Sequence, residues 1–136
     1  METQPYLFFE GRCDEAIAFY RKAVGAEVTM LMHYKDSPDP QHCAGIPPDK
    51  VMHASFKIGG TVVNASDGRC TGKAEFKGFA LSIAAGTDDE AHRLFAALCD
   101  GGQVMMAMGK TFFASSFGMV TDKFGVMWMV IVPTIH

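Results

Sequence analysis

The stretch GFALSIAAGTDDEAHRLFAALCDGG, residues 78–102, holds in one run the change of period on which the fold depends. Gly78 to Ala85 is short and mostly apolar, as a strand is. Thr87-Asp88-Asp89-Glu90 then sets a side-chain oxygen at an N-cap and a carboxylate three residues later, the pattern of a capping box. Ala91, Leu94, Phe95, Leu98 and Cys99 recur at three- and four-residue steps, one stripe of a helix that Gly101-Gly102 stops.

Downstream, Gln103–Met108, Phe112–Val120 and Val126–Val132 read as three strands, the last two joined by the turn Thr121-Asp122-Lys123-Phe124-Gly125. The N-terminal half reads in the same order. Tyr6 to Phe9 is a short aromatic strand behind Pro5, and Ala16, Phe19, Tyr20, Ala23 and Val24 give a helix over about 13–24 that ends at Gly25. Glu27–Tyr34 follows as a strand, then Lys35–Asp49 with four prolines as a long loop. Val51–Ile58 and Thr61–Ser66 form a hairpin around Gly59-Gly60, and the polar, glycine-rich run from Asp67 to Lys77 reads as a linker. Asp14-Glu15-Ala16 opens the first helix as Asp89-Glu90-Ala91 opens the second. The expectation is an α+β chain of two βαβββ modules, about 4–67 and about 78–133, with a linker at about 68–77, in one domain of 136 residues. The alternative is a generic α+β sandwich whose halves agree by chance.

Composition narrows the function classes. Twelve basic against fifteen acidic residues, a net charge of −3, give no basic footprint for nucleic acid or an anionic membrane. Cys13, Cys43, Cys70 and Cys99 lie far apart with no CxxC pair, so free thiols are expected rather than a zinc or redox motif. The start at Met1-Glu2-Thr3-Gln4-Pro5 lacks a basic, apolar secretory signal, and no run is long enough to span a membrane; a cytoplasmic location is the expectation.

Tyr6-Leu7-Phe8-Phe9-Glu10-Gly11 leading to Glu15-Ala16-Ile17-Ala18-Phe19-Tyr20, with Gly25-Ala26 beyond, resembles the opening of vicinal-oxygen-chelate (glyoxalase/bleomycin-resistance) modules. Ser66-Asp67-Gly68 followed by Gly78-Phe79, and Thr121 to Trp128, resemble the PhnB-like branch, often labelled 3-demethylubiquinone 3-methyltransferase-like. The resemblance spans nearly the whole chain. It implies curved mixed sheets forming a cup, within one chain or between two. The methyltransferase label finds no support in the residues, because no glycine-rich strand-to-helix turn followed by an acidic residue offers a nucleotide site.

Metal-using members of that superfamily hold a divalent ion with His or Glu from two strands of each module. The resemblance puts those positions on Pro5, on or beside Phe79, on Met129, and at or near Asn64. None of the first three is a ligand for a hard ion, so no metal and no cofactor are expected. With Pro5, Phe79 and Met129 inward, alternation turns Leu7, Phe9, Leu81, Met127 and Ile131 into the same cup and Tyr6, Phe8, Trp128 and Val130 toward the helices. The expected ligand pocket is therefore Leu7, Phe9, His53, Asn64, Phe79, Leu81, Met127 and Met129.

Other residues have side chains that can carry chemistry. His33 and His53, at the ends of adjacent strands, can face one another across a hairpin as a metal or proton-transfer pair with His42 and Cys43 from the loop; the simpler reading is two solvated strand-end histidines. Cys13 precedes a helix start, but Asp14 and Glu15 oppose a thiolate there. Ser115 and Ser116 lack a GxSxG turn, and His92 falls on a solvated helix face. Ten methionines suit an adaptable apolar lining or a plastic core. Three functions stand: a homodimeric, non-metal module sequestering a small hydrophobic or aromatic molecule; a metal-dependent lyase or dioxygenase with a non-standard histidine site; or an interaction module whose cup its own side chains fill. The first is preferred, with no catalytic residues assigned.

Overall fold

A computed structural model describes residues 1–38, 45–68, 70 and 72–134. The chain forms two compact units, Met1–Ala74 and Glu75–His136, and the boundary falls inside the glycine-rich linker.

In the first unit the elements are β1 (Tyr6–Phe8), α1 (Cys13–Val24), β2 (Glu27–His33), a single 3-10 turn (Tyr34–Asp36), β3 (Val51–Ile58) and β4 (Thr61–Ser66). The second carries β5 (Leu81–Ala84), α2 (Asp88–Leu98), β6 (Gln103–Gly109), β7 (Ala114–Thr121) and β8 (Met127–Pro133). Each unit is a mixed four-stranded sheet, β1-β4-β3-β2 and β5-β8-β7-β6, with the first strand parallel to the last and the other pairs antiparallel. Two βαβββ modules of identical strand order result.

The helices form where the period switches to 3.6 residues, and each lays its apolar stripe on its own sheet. Ala16, Ile17, Tyr20 and Ala23 of α1 are buried, and the Tyr20 ring lies 6.2 Å from Phe9 and 6.0 Å from Phe56. Full burial of Tyr20, Phe56 and Leu7 contributes about 1.5–3 kcal/mol each. In the second unit Phe95 of α2 sits on β7 at Gly118, where an added Cβ would come within 2.8 Å of the ring. Only a glycine lets the two backbones approach that closely.

The helix starts differ in their chemistry. Thr87 Oγ1 accepts a hydrogen bond from the Glu90 amide at 3.1 Å, half of the expected capping box, while the Glu90 carboxylate accepts from the Gly86 amide at 3.3 Å instead of from Thr87. The α1 start has no local side-chain cap. Its cap comes from the residue just after β4: Asp67, 1% exposed, accepts from the amides of Gly11 and Cys13 with one oxygen and of Val51 with the other, each at 2.8 Å. In the second unit the buried Asp122 instead holds the local β7–β8 turn, accepting from the Phe124 and Val126 amides and, at 2.8 Å, from Trp128 Nε1.

Candidate functional site on the helix-free face of the N-terminal sheet

Strand pairing decides which side chains share a face, because residues opposite one another across a ladder point the same way. Leu7 pairs with Ala65, and Ala65 with Ala54, all essentially buried on the α1 side. Phe9 follows on that side, 2% exposed against Tyr20. Leu7 and Phe9 are thus core residues under the helix, which corrects the expectation that they face a cup. Tyr6 and Phe8, 39% and 52% exposed, occupy the helix-free face instead. The expectation failed because Tyr6-Leu7-Phe8-Phe9 is apolar throughout and carries no period-2 signal; the facing was inferred from Pro5, whose carbonyl accepts from the Asn64 amide and whose parity is that of Leu7.

Register brings the rest of that face together. Tyr6 stands opposite Asn64, Asn64 opposite Ser55, Ser55 opposite Met30, and His53 opposite Met32. The polar side chains form one row of hydrogen bonds: Tyr6 Oη to His53 Nδ1 at 3.0 Å, His53 Nε2 to Ser55 Oγ at 3.4 Å, Ser55 Oγ to Asn64 Oδ1 at 2.6 Å, and Asn64 Nδ2 to Gln4 Oε1 at 2.9 Å. Tyr6 and Phe8 rings lie 4.8 Å apart, tilted, and the Tyr6 ring is 5.6 Å from the imidazole. The face is a polar strip bordered by two aromatic rings and two methionines. Sequence reading placed His53 and Asn64 here but missed Tyr6, Ser55 and Gln4. A signal existed in β3, where His53, Ser55 and Lys57 alternate with buried Ala54 and Phe56.

His33 and His53 do not meet. A register shift between Met32 and His33 sets His33 opposite Val51, on the α1 side, where Nε2 lies 2.9 Å from the Asp14 carboxylate. The imidazoles therefore belong to opposite faces of the β2–β3 pair. His42 and Cys43 lie outside the described residues. Cys13 is buried beneath Asp67 and Asp14, and desolvation followed by those two charges pushes its thiol far above the ordinary value, so it stays protonated and inert.

In the second unit, Leu81 and Ile83 pair with Trp128 and Val130. Trp128 and Val130 are buried, on the side of Gly118 and Phe95. Leu81 therefore shares the helix side and not the cup side expected of it; Ser82 and Ala84 take the other face with Met129 and Ile131. The alternation Leu81-Ser82-Ile83-Ala84 carried that signal. Met127 and Met129 stand on the helix-free face with Met119, Met106 and the buried Phe117, an apolar, sulfur-rich face. Phe79 lies ahead of β5, half exposed, edge-on to Phe76 at 6.4 Å.

The donor set of the polar row does not suit a divalent ion. It offers one imidazole with phenol, hydroxyl and amides, and each of these groups already bonds to its neighbour. Among the described residues no group of three or more His, Cys, Asp or Glu is gathered to hold a metal. At the β1–α1 turn, where a nucleotide phosphate would approach a helix start, the Gly11 and Cys13 amides are taken by Asp67 and the Arg12 amide by the Phe9 carbonyl.

These features, the paired βαβββ modules above all, define a glyoxalase/bleomycin-resistance-like protein of the PhnB-like branch. The chain belongs to the 3-demethylubiquinone-9 3-methyltransferase family, which it matches over residues 1–131. It is 36% identical to Protein YjdN of Escherichia coli K12 over 138 residues, covering 96% of this chain and 94% of that protein. Protein PA1353 of Pseudomonas aeruginosa is similar in structure, with a TM-score of 0.86, 40% identity and 98% of both chains covered. The PhnB protein of Bacillus cereus gives 0.81 at 27% identity, covering 97% of this chain and 99% of its own. A glyoxylase/bleomycin resistance protein/dioxygenase domain from Frankia, at 13% identity and a TM-score of 0.66 over 98% of this chain and 91% of its own, shares the fold alone.

Proposed function

We propose that this chain binds a small hydrophobic or aromatic molecule on the helix-free face of the β1-β4-β3-β2 sheet, without a divalent metal, as a cytoplasmic homodimer. The observation that carries the reading is the pair of exposed rings, Tyr6 and Phe8, set against a hydrogen-bonded polar row. Exposed aromatic surface costs free energy in water, about 25 cal/mol per Å² left uncovered, and beside fixed polar groups it is the composition of a ligand site. Pro5, Leu7 and Phe9 take no part; the contacting residues are Tyr6, Phe8, Met30, Met32, His53 and Asn64.

The metal-enzyme alternative loses its main support with His33 bound to Asp14 on the other side of the sheet. The test is a titration of 13C-methyl-methionine-labelled protein with 2-methoxynaphthalene. Shifts of the Met30 and Met32 methyl signals, abolished in Phe8→Asp, are the expected outcome. Unmoved methyl signals up to millimolar ligand would refute binding at this face. No helix among the described residues is long and apolar enough to cross a membrane, so helical spans supply no competing explanation for the exposed rings.

A further inference from the structure

We infer that this face selects planar molecules bearing an acidic O–H, such as phenols and enols, and that the Tyr6 oxygen is the acceptor for that proton. The inference rests on the binding face proposed above and names the chemical class it takes.

The argument is a proton count along the row. An amide oxygen only accepts, so the 2.6 Å contact between Ser55 Oγ and Asn64 Oδ1 fixes the serine's single proton on Asn64. Ser55 can then only accept from His53, which puts the single proton of the neutral imidazole on Nε2 and leaves Nδ1 as an acceptor. Nδ1, at 3.0 Å, therefore receives the Tyr6 proton. At the other end the Asn64 amide donates to Gln4 and the Gln4 amide to Glu2 at 3.3 Å, so every donor in the chain points the same way. The phenol of Tyr6 has given its only proton inward. What it presents outward is lone pairs, on a ring that is 39% exposed beside Phe8.

A planar ligand resting on these rings meets an acceptor with no donor to offer it. A phenol or enol satisfies that oxygen, and its own hydrogen bond is strengthened because the Tyr6 O–H is already polarised by His53. The methyl ether of the same ring sets an oxygen lone pair against lone pairs and must leave one polar group unpaired. Asn64, Ser55 and Gln4 act as positioning residues that hold the imidazole in one tautomer.

The experiment compares 2-naphthol with 2-methoxynaphthalene, read by Met30 and Met32 methyl shifts in the full chain. About tenfold tighter binding of the naphthol is expected from one well-made hydrogen bond. Tyr6→Phe should bring the two probes to within about twofold of each other, because the naphthol loses its acceptor and the ether loses the lone pairs that oppose it. His53→Leu is the second variant: it releases the Tyr6 proton to turn outward, which should raise ether binding and shrink the preference. Equal binding of the two probes by the parent chain would sink the donor selection and leave the aromatic site standing. A preference that survives Tyr6→Phe would place the acceptor elsewhere and overturn the assignment. Binding of neither probe would remove both this inference and the reading under it.

Discussion

Asp67 illustrates how one buried side chain can hold distant backbone in place. Its two oxygens satisfy amides of the β1–α1 turn and of β3, residues 54 to 56 positions earlier and 16 positions earlier in the chain. Asp67→Asn replaces one acceptor by a donor aimed at donors, and a loss of about 3 kcal/mol is expected for the orphaned amides. Urea unfolding measures it; a variant within 0.5 kcal/mol of the parent, roughly the noise of surface substitutions, would mean the cap is dispensable. Cys13 yields a second residue-scale prediction. Its raised pKa keeps the thiol neutral at pH 8, so iodoacetamide should leave Cys13 unmodified in the native protein and label it only on unfolding. Mass spectrometry of the digested protein would expose the opposite result. Nothing in the sequence around Cys13 or Gly11 announces a cap from Asp67, because the partners meet only when β4 is laid beside β1.

At the scale of elements, α2 and β7 are tied by two devices. The first is steric: Phe95 over Gly118. Gly118→Ala forces the ring or the strand to shift, and overpacking of this kind costs about 1–3 kcal/mol, visible as a lower midpoint of thermal unfolding. An unchanged midpoint would show that the ring has room to turn. The second is electrostatic. Ser116 and Ser115 hydroxyls donate to one Asp88 oxygen at 2.6 and 2.7 Å, and those bonds hold the Asp88 carboxyl below its ordinary 3.8. A carboxyl with a depressed folded pKa stabilises above the unfolded value and loses that contribution as pH falls through the folded one. Acid unfolding monitored by circular dichroism should therefore be shallower below pH 4 in Asp88→Asn than in the parent; superimposable acid curves would contradict the coupling. Strand existence was legible at this scale from period, but facing in β1 was not, since four consecutive apolar residues look alike from either side.

Over the whole molecule, two edge strands carry half-exposed apolar side chains: Val104, Met105 and Met106 on β6, Met30 and Leu31 on β2. Unpaired strand edges with such residues favour covering by another chain. The proposed homodimer is checked by light scattering on a sizing column, where twice the 14.8 kDa chain mass is expected and a clean monomer at micromolar concentration would end the proposal.

The amino-acid order alone determined two βαβββ modules, because the change from a period of two to one of 3.6, and the glycine and proline breaks between, are local properties of consecutive residues. It also singled out His53 and Asn64, which the structure sets in one hydrogen-bonded row. Only the tertiary structure decided which side of each sheet they occupy and what stands beside them. A bulge between Met32 and His33 moved one histidine to Asp14 and left the other to Tyr6, and a parallel pairing 58 residues apart set Tyr6 opposite Asn64. Register is a property of two strands at once, and a shift of one residue exchanges the faces.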